Sequence, residues 1–202
     1  MDTGPLHARA EQAALAALGI PELAGDHPKT FGHGIMRGMQ MLAEHYGLPS
    51  GQHVFDAYLP AWEALFAEGI AAKPGADDVL RQLHAMTVPL ALVTSGEREY
   101  VDKVLARFGW HSLFKHTVTL ESVHNLKPDP EPYLMAANLL ELDPKFCAGF
   151  EDSASGLASV HAAEMFSVYV GESIAPAGLV PDMALASLVH LSGDELSRLF
   201  AQ

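Results

Sequence analysis

The first third of the chain has apolar residues at helical spacing. In three segments, apolar side chains recur every three or four residues, as expected of helices that bury one face. The segments span residues 7–18, 30–46 and 51–69. This pattern predicts that the N-terminal third of the chain is helical.

The rest of the chain alternates between short apolar runs and helical segments. The apolar runs lack regular polar alternation, which is typical of parallel strands buried on both faces. They span residues 88–93, 116–120, 147–150 and 166–170, and the helical patterns span residues 77–86, 98–108, 131–140 and 155–164. This alternation predicts a doubly wound α/β fold with a parallel sheet. We expect an α-helical cap, residues 14–70, inserted into an α/β body made of residues 1–13 and 71–202.

Composition excludes several partners. The chain has 25 acidic and 12 basic residues, a formal net charge of -13, so it lacks the basic surface that nucleic-acid binding requires. No segment approaches the roughly 18 uninterrupted apolar residues of a membrane span. Cys147 is the only cysteine, so no intrachain disulfide can form. We expect a cytoplasmic protein that binds neither nucleic acid nor membrane; the oligomeric state stays open.

Small polar residues follow the first apolar run of the body. Thr94, Ser95 and Gly96 stand between this run and the next helix. Hydroxyl and backbone N–H donors at such a position suit an anionic oxygen. The alternative is structural, because Thr94 or Ser95 could simply cap the helix that begins near Glu97.

A lysine follows the second apolar run. Lys127 lies in the sequence Lys-Pro-Asp-Pro at residues 127–130. A residue before proline favours extended backbone, which can fix the direction in which the ammonium group projects. The alternatives are that Lys127 is an ordinary solvated lysine and that Asp129 caps the next helix.

Two carboxylates follow the third apolar run. Glu151 and Asp152 are adjacent, and neighbouring carboxylates near buried backbone repel each other unless a cation neutralises them. Mg²⁺ prefers such oxygen ligands. The alternative is an acidic helix start, which the helix dipole favours by about 0.3–1 kcal/mol.

The order of these groups resembles the haloacid dehalogenase superfamily. A hydroxyl, a lysine and an acidic pair, each following a successive strand, are similar to the second, third and fourth motifs of that superfamily. The corresponding segments are residues 92–96, 127–130 and 149–156. Residues 2–10 and the helices up to Gly69 also resemble the β-phosphoglucomutase-like branch with its helical cap. The resemblance implies a Mg²⁺-dependent phosphatase that acts on a small phosphorylated metabolite such as a sugar phosphate.

The resemblance also assigns roles to individual residues. Thr94 would bind a phosphoryl oxygen, Lys127 would neutralise the nucleophile and the phosphoryl group, and Asp152 would bind Mg²⁺. Glu151 would support the metal shell. Further candidates for substrate contact are Ser95 and Gly96 in the body and His7, His33 and Arg37 in the N-terminal third.

The first motif of the superfamily is absent from the 202 residues. That motif, Asp-x-Asp-Gly-Thr or a close variant, ends a central strand and provides both the nucleophile, which forms an aspartyl phosphate, and the acid/base. No such sequence occurs here. We expect this strand to precede Met1, which would then be an internal methionine of a longer protein.

Other activities are weighed against the phosphatase. A phosphosugar mutase would share the cap and the segment around His7, and a non-catalytic binding protein would explain the absent Asp-x-Asp. Dehalogenase activity is disfavoured by the acidic pair of the magnesium type. A phosphonate-cleaving enzyme would need a cap lysine, and residues 31–38 contain none.

Overall fold

A computed structural model describes residues 4–21, 25–28, 30, 34–171 and 178–200. The chain divides into two compact units, Met1–Lys73 and Pro74–Gln202. Among the described residues, no helix is both long enough and apolar enough to cross a membrane.

In its described residues, the first unit has three helices. They are α1 (Gly4–Ala17), α2 (Ile35–Tyr46) and α3 (Gly51–Glu68), and α3 packs against both of the others. Apolar side chains at helical spacing meet between them, as the sequence predicts. The most deeply buried of these are Ala10, Ala14, Leu15, Met39, Leu42 and Val54.

Two details of this unit differ from the predicted ranges. The helix predicted over residues 30–46 begins only at Ile35, and residues 31–33 lie outside the described residues. Residues 4–13 belong to α1, which is continuous through Ala17 and packs against α3. The division into a body of residues 1–13 and 71–202 and a cap of residues 14–70 stays a prediction.

The second unit is an α/β domain, and the strand pairings among its described residues are all parallel. Its strands are β1 (Ala91–Val93), β2 (His116–Val118), β3 (Ala148–Glu151), β4 (Phe166–Val170) and β5 (Met183–Leu185). Its helices are α4 (Ala76–Ala85), α5 (Arg98–Phe108), α6 (Glu131–Leu140), α7 (Ala154–Ala162) and α8 (Gly193–Phe200). The predicted α/β class and parallel sheet are confirmed. β5 and α8 were not predicted, since their apolar runs are short.

Helices cover both faces of the sheet. Consecutive strand residues point to opposite faces, and β3 shows the consequence. A Cβ on Gly149 would lie 2.5 Å from Val160 of α7, so glycine lets this helix approach closely. The next residue, Phe150, packs against the cluster that contains Val79 of α4 and Leu196 of α8. This two-sided packing is the doubly wound arrangement.

The sheet consists of two separate pieces in the described part of the chain. One piece has the order β1-β2 and the other β3-β4-β5. All three residues of β1 are partly exposed, whereas the sequence pattern predicted a strand buried on both faces. The central strand expected to carry the first motif stays a prediction.

Candidate active site

The loop after β1 is shaped by Thr94. Its backbone N–H donates to the Val118 carbonyl at 3.0 Å, which continues the pairing of β1 with β2. Its Oγ1 accepts a hydrogen bond from the Gly96 N–H at 3.0 Å. The capping alternative for Thr94 and Ser95 is wrong, because the N-cap of α5 is Glu97, without a side-chain cap. The Thr94 side chain therefore stabilises the loop and does not cap the start of α5.

A carboxylate from the next strand end occupies the start of α5. Both oxygens of Glu121 accept from the Arg98 N–H, at 3.0 and 3.2 Å. This bond lowers the pKa of Glu121, as expected for an anion at a helix N-terminus. Sequence reasoning missed this partner, although an acid directly after β2 was the available signal. Part of the anion-binding capacity of this helix start is thus used within the protein.

The Lys127 side chain joins the ends of two strands. Its Nζ donates to the Val93 carbonyl of β1 at 3.1 Å and to Glu151 Oε1 of β3 at 2.5 Å. The side chain is only 9% exposed, so the solvated-lysine alternative is wrong. The Lys127–Pro128 peptide is cis. The fixed position of this ammonium brings the two pieces of the sheet into contact at their carboxyl ends.

The loop that carries Lys127 is fastened to α6 at two points. The Glu131 carboxylate accepts from the backbone N–H groups of His124 and Asn125, each at 2.8 Å. Asp129 Oδ1 accepts from the Glu131 N–H at 2.9 Å, but the N-cap of α6 is Pro130, so Asp129 lies one residue before the cap. These bonds restrict the loop on both sides of Lys127.

Glu151 is a buried carboxylate whose oxygens are both bonded. Oε1 accepts from Lys127 and from the Tyr133 hydroxyl, and Oε2 accepts from Ser153 Oγ at 3.1 Å. A charge buried to this extent is stable only when it is paired and hydrogen-bonded. The sequence predicted that a metal neutralises the acidic pair; for Glu151 the structure provides the Lys127 ammonium instead.

Tyr133 is the partner that sequence reasoning missed. It is 5% exposed, and its ring lies 5.1 Å from Lys127 Nζ. Burial, followed by the nearby Glu151 charge, raises the pKa of Tyr133 well above its usual range. The phenol therefore stays protonated and donates to Glu151. The position of this tyrosine, six residues after the lysine, does not by itself indicate the contact.

Asp152 differs from Glu151 in its exposure. Asp152 is exposed at the end of β3, where a carboxylate can reach a cation in solvent. The described residues contain no group of three or more His, Cys, Asp or Glu side chains arranged to hold a metal. Mg²⁺ commonly binds through only one or two carboxylates together with water and substrate phosphate. The exposed Asp152 carboxylate fits that mode.

The candidates in the helical unit have separate environments. His7 Nδ1 lies 2.5 Å from the Tyr58 hydroxyl, and the His7 ring stacks on Trp62 with a centroid distance of 4.2 Å. Burial lowers the pKa of His7 to about 4. Arg37 is exposed on α2. His33 lies outside the described residues.

Comparisons with known proteins agree with the resemblance of the motifs. Hexitol phosphatase B from Escherichia coli strain K12 is 27% identical over 202 residues, which cover 97% of this chain and 91% of the relative. Validoxylamine A 7'-phosphate phosphatase from Streptomyces hygroscopicus subsp. limoneus is 38% identical over 94 residues, 46% of this chain. This second match spans only 44% of the relative's length.

A solved structure shows the same fold. The β-phosphoglucomutase from Clostridium difficile superimposes with a TM-score of 0.80 at 21% identity, covering 99% of this chain and 92% of the other. The sequence model of the haloacid dehalogenase-like hydrolases matches residues 1–164. Both findings cover most of the chain. This protein belongs to the haloacid dehalogenase-like hydrolase family.

Proposed function

We propose that the complete protein is a Mg²⁺-dependent phosphatase that acts on a small phosphorylated metabolite, a sugar or sugar-alcohol phosphate. The observation that carries the proposal is the Lys127 ammonium, held between Val93 O and Glu151 beside the loop that begins at Thr94. The similarity to a hexitol phosphatase, which covers 97% of this chain, supports the substrate class.

The loop after β1 suits a phosphoryl oxygen. Because Thr94 Oγ1 accepts from the Gly96 N–H, the hydroxyl keeps its own proton for donation to the substrate. The Gly96 N–H is already used by Thr94, so the further donors from the same turn would be the hydroxyl and the backbone N–H of Ser95. Their role is to hold the phosphoryl group in one orientation, which lowers the entropic part of the barrier.

Lys127 would offset negative charge during the reaction. Two of its three protons are used by Val93 and Glu151, and the third would bond to the phosphoryl group or to the nucleophile. A preorganised cation in a buried position stabilises developing charge without reorganisation. The proposed nucleophile is an aspartate that forms an aspartyl phosphate, and it is not among the 202 residues.

Asp152 would bind Mg²⁺. Glu151 would support the metal site indirectly, because its bonds to Lys127, Tyr133 and Ser153 fix the end of β3. When bound, Mg²⁺ would neutralise charge on the phosphoryl oxygens. Local cations matter here because the chain carries a net charge of -13, which repels an anionic substrate at long range. His7, His33 and Arg37 are the proposed substrate contacts in the helical unit.

Calorimetric titration with orthovanadate, a phosphate mimic, tests the proposed cradle with and without Mg²⁺. The 202-residue chain should bind orthovanadate more tightly with Mg²⁺ than without it. In the presence of Mg²⁺, Asp152→Asn should weaken this affinity about tenfold, equivalent to about 1.4 kcal/mol. The matched control is Asp194→Asn, which removes an exposed charge on α8 and should leave binding unchanged. Equal loss in both variants would contradict a metal role for Asp152.

Two alternatives remain distinguishable with the same preparations. A mutase of the β-phosphoglucomutase type would convert a phosphosugar to its isomer without releasing phosphate. A non-catalytic binding protein, which the absent Asp-x-Asp favours, would bind orthovanadate but turn over no phosphate ester. Metal-dependent phosphate release by the 202-residue chain would exclude the binding protein and show that an Asp-x-Asp motif is dispensable.

A further inference from the structure

Tyr133 is linked to each of the groups that hold the Lys127 ammonium. Its hydroxyl donates to Glu151 Oε1, the same carboxylate oxygen that accepts from Lys127 Nζ at 2.5 Å. Its ring lies 5.1 Å from Nζ, within the range of attraction between a cation and an aromatic face. Tyr133 also belongs to a buried cluster against which Val93 packs, and the Val93 carbonyl is the other acceptor of Lys127. One residue of α6 is thus linked to the ammonium and to both of its acceptors.

The Tyr133 ring is itself held in place by the packing of α6. This helix contacts β1, β2 and α7, and the ring is buried in a cluster that includes Val160 and Met165. Only 5% of the residue is exposed. A tyrosine in such a place has an apolar body fixed by packing and a polar end that needs a partner. The hydroxyl therefore reaches Glu151 from a rigid support.

The Tyr133 hydroxyl limits how the Glu151 carboxylate can turn. Oε1 accepts from both Lys127 and Tyr133, and Oε2 accepts from Ser153 Oγ at 3.1 Å. Without the phenol, Lys127 would be the one remaining donor to Oε1 among the described residues. Lysine carries its charge on a flexible four-carbon stem, so an ammonium and a carboxylate that bond only to each other at this oxygen can shift together. The phenol is the donor that prevents this shift.

We propose that Tyr133 is a positioning residue that fixes the Lys127 ammonium for the phosphoryl group, through Glu151 with its hydroxyl and directly with its ring. The inference rests on the proposed function, because the phosphoryl group is the ligand assigned there to Lys127. A cation stabilises the charge of a ligand most strongly when it is already in place before the ligand arrives. The role assigned to Tyr133 requires no contact with the substrate.

Spectra of the lysine ammonium groups test the positioning directly. In ¹H–¹⁵N spectra of the labelled 202-residue chain, a buried and hydrogen-bonded ammonium exchanges its protons with water slowly enough to give a signal, whereas exposed lysines exchange fast. We expect a protected Lys127 signal in the wild-type chain, assigned by its loss in Lys127→Arg, which keeps the charge. In Tyr133→Phe, which keeps the ring but lacks the hydroxyl, proton exchange of Lys127 should accelerate about fivefold, part of the strength of one hydrogen bond to a charged group.

Ser167→Ala is the matched control. Ser167 is fully buried, and its hydroxyl donates to Asp182 Oδ2 at 2.7 Å, so this variant also removes a buried bond between a hydroxyl and a carboxylate. The residue lies near the amino end of β4, whereas Glu151 ends β3. Exchange at Lys127 should be unchanged in Ser167→Ala. The inference is overturned if the wild-type chain gives no protected Lys127 signal, or if the two variants change the exchange rate equally.

Calorimetric titration with orthovanadate in the presence of Mg²⁺ separates this inference from the proposed function. Tyr133→Phe should weaken orthovanadate binding about fivefold, because a less fixed ammonium stabilises the anion less, and Ser167→Ala should leave it unchanged. If the wild-type chain binds no orthovanadate, the proposed function fails, and with it the ligand assigned to the ammonium. If wild type and Tyr133→Phe bind orthovanadate equally tightly, the proposed function stands and the positioning role of Tyr133 is overturned.

Discussion

The two units bury ionisable groups in opposite ways. In the α/β unit, Lys127 and Glu151 form a buried ion pair, with side chains 9% and 7% exposed. In the helical unit, His7 is kept neutral between Tyr58 and Trp62. Burial penalises any isolated charge, so the difference lies in what each residue finds nearby. An opposite charge within bonding distance stabilises a buried charge, whereas burial against aromatic rings lowers the pKa of a histidine.

The largest expected effect comes from removing one member of the charged pair. Lys127→Met leaves Glu151 buried without its cation and should lower the free energy of unfolding by about 3–5 kcal/mol, measured by urea unfolding. Tyr133 and Ser153 cannot neutralise the remaining charge.

Two variants serve as controls for this prediction. Lys145→Met removes a lysine from an exposed pair with Asp143, with side chains 64% and 50% exposed, and should cost less than about 1 kcal/mol. Adding Glu151→Gln to Lys127→Met should restore much of the lost stability. Equal losses for Lys127→Met and Lys145→Met would mean that the buried pair is not a charged pair.

The neutral histidine predicts a pH effect on stability. The folded pKa of His7, about 4, lies below the unfolded value of about 6.5. In this interval the unfolded chain binds more protons, so stability is lost as the pH falls from the upper value to the lower one. Between pH 7 and pH 5 we expect a loss of roughly 2 kcal/mol from this residue.

His7→Gln isolates this contribution, because glutamine does not titrate. The difference in unfolding free energy between wild type and His7→Gln should change with pH in this interval by the expected amount, in favour of the variant at low pH. Parallel stability curves would show that His7 has the same pKa in the folded and unfolded chains and would remove the contrast between the two units.

The smallest effect concerns two tyrosine hydroxyls. Tyr133 donates to a carboxylate and Tyr58 bonds to a neutral imidazole. Tyr133→Phe should therefore cost about 1.5–3 kcal/mol and Tyr58→Phe about 0.5–1.5 kcal/mol. Thermal or urea unfolding of the two variants at pH 7 measures both. A larger loss for Tyr58→Phe would contradict the assignment of charge in one of the two clusters.

Sequence periodicity was sufficient for the main elements. The ranges of α5 and α6 match the predicted segments, since each has a clear apolar face and a distinct end. The positions of Thr94 directly after β1 and of Glu151 at the end of β3 also follow from the pattern, whereas Lys127 lies in the loop beyond β2 and reaches both strand ends through its side chain. Parallel strands bring their carboxyl ends to one edge of a sheet, which made a shared site predictable from order alone.

Partners of the site residues were not predictable in the same way. Tyr133 is 18 residues from Glu151, and Tyr58 is 51 residues from His7. Such pairs depend on how helices pack, and no local pattern encodes which hydroxyl reaches which acceptor. The capping alternative for Thr94 failed for a similar reason, because Glu121 reaches the start of α5 from 23 residues away.

The first turn of α7 has one further consequence. A Cβ on Gly156 would overlap the Glu151 carboxylate, so the two positions share one small volume. A glutamate at residue 151 therefore requires glycine at residue 156. Any homologous or designed chain with a larger residue at 156 must shorten or redirect the acid at 151, and a shorter acid would no longer reach the lysine across the sheet. The spacing of five residues between acid and glycine thus acts as a volume constraint that links helix packing to the placement of the ammonium group.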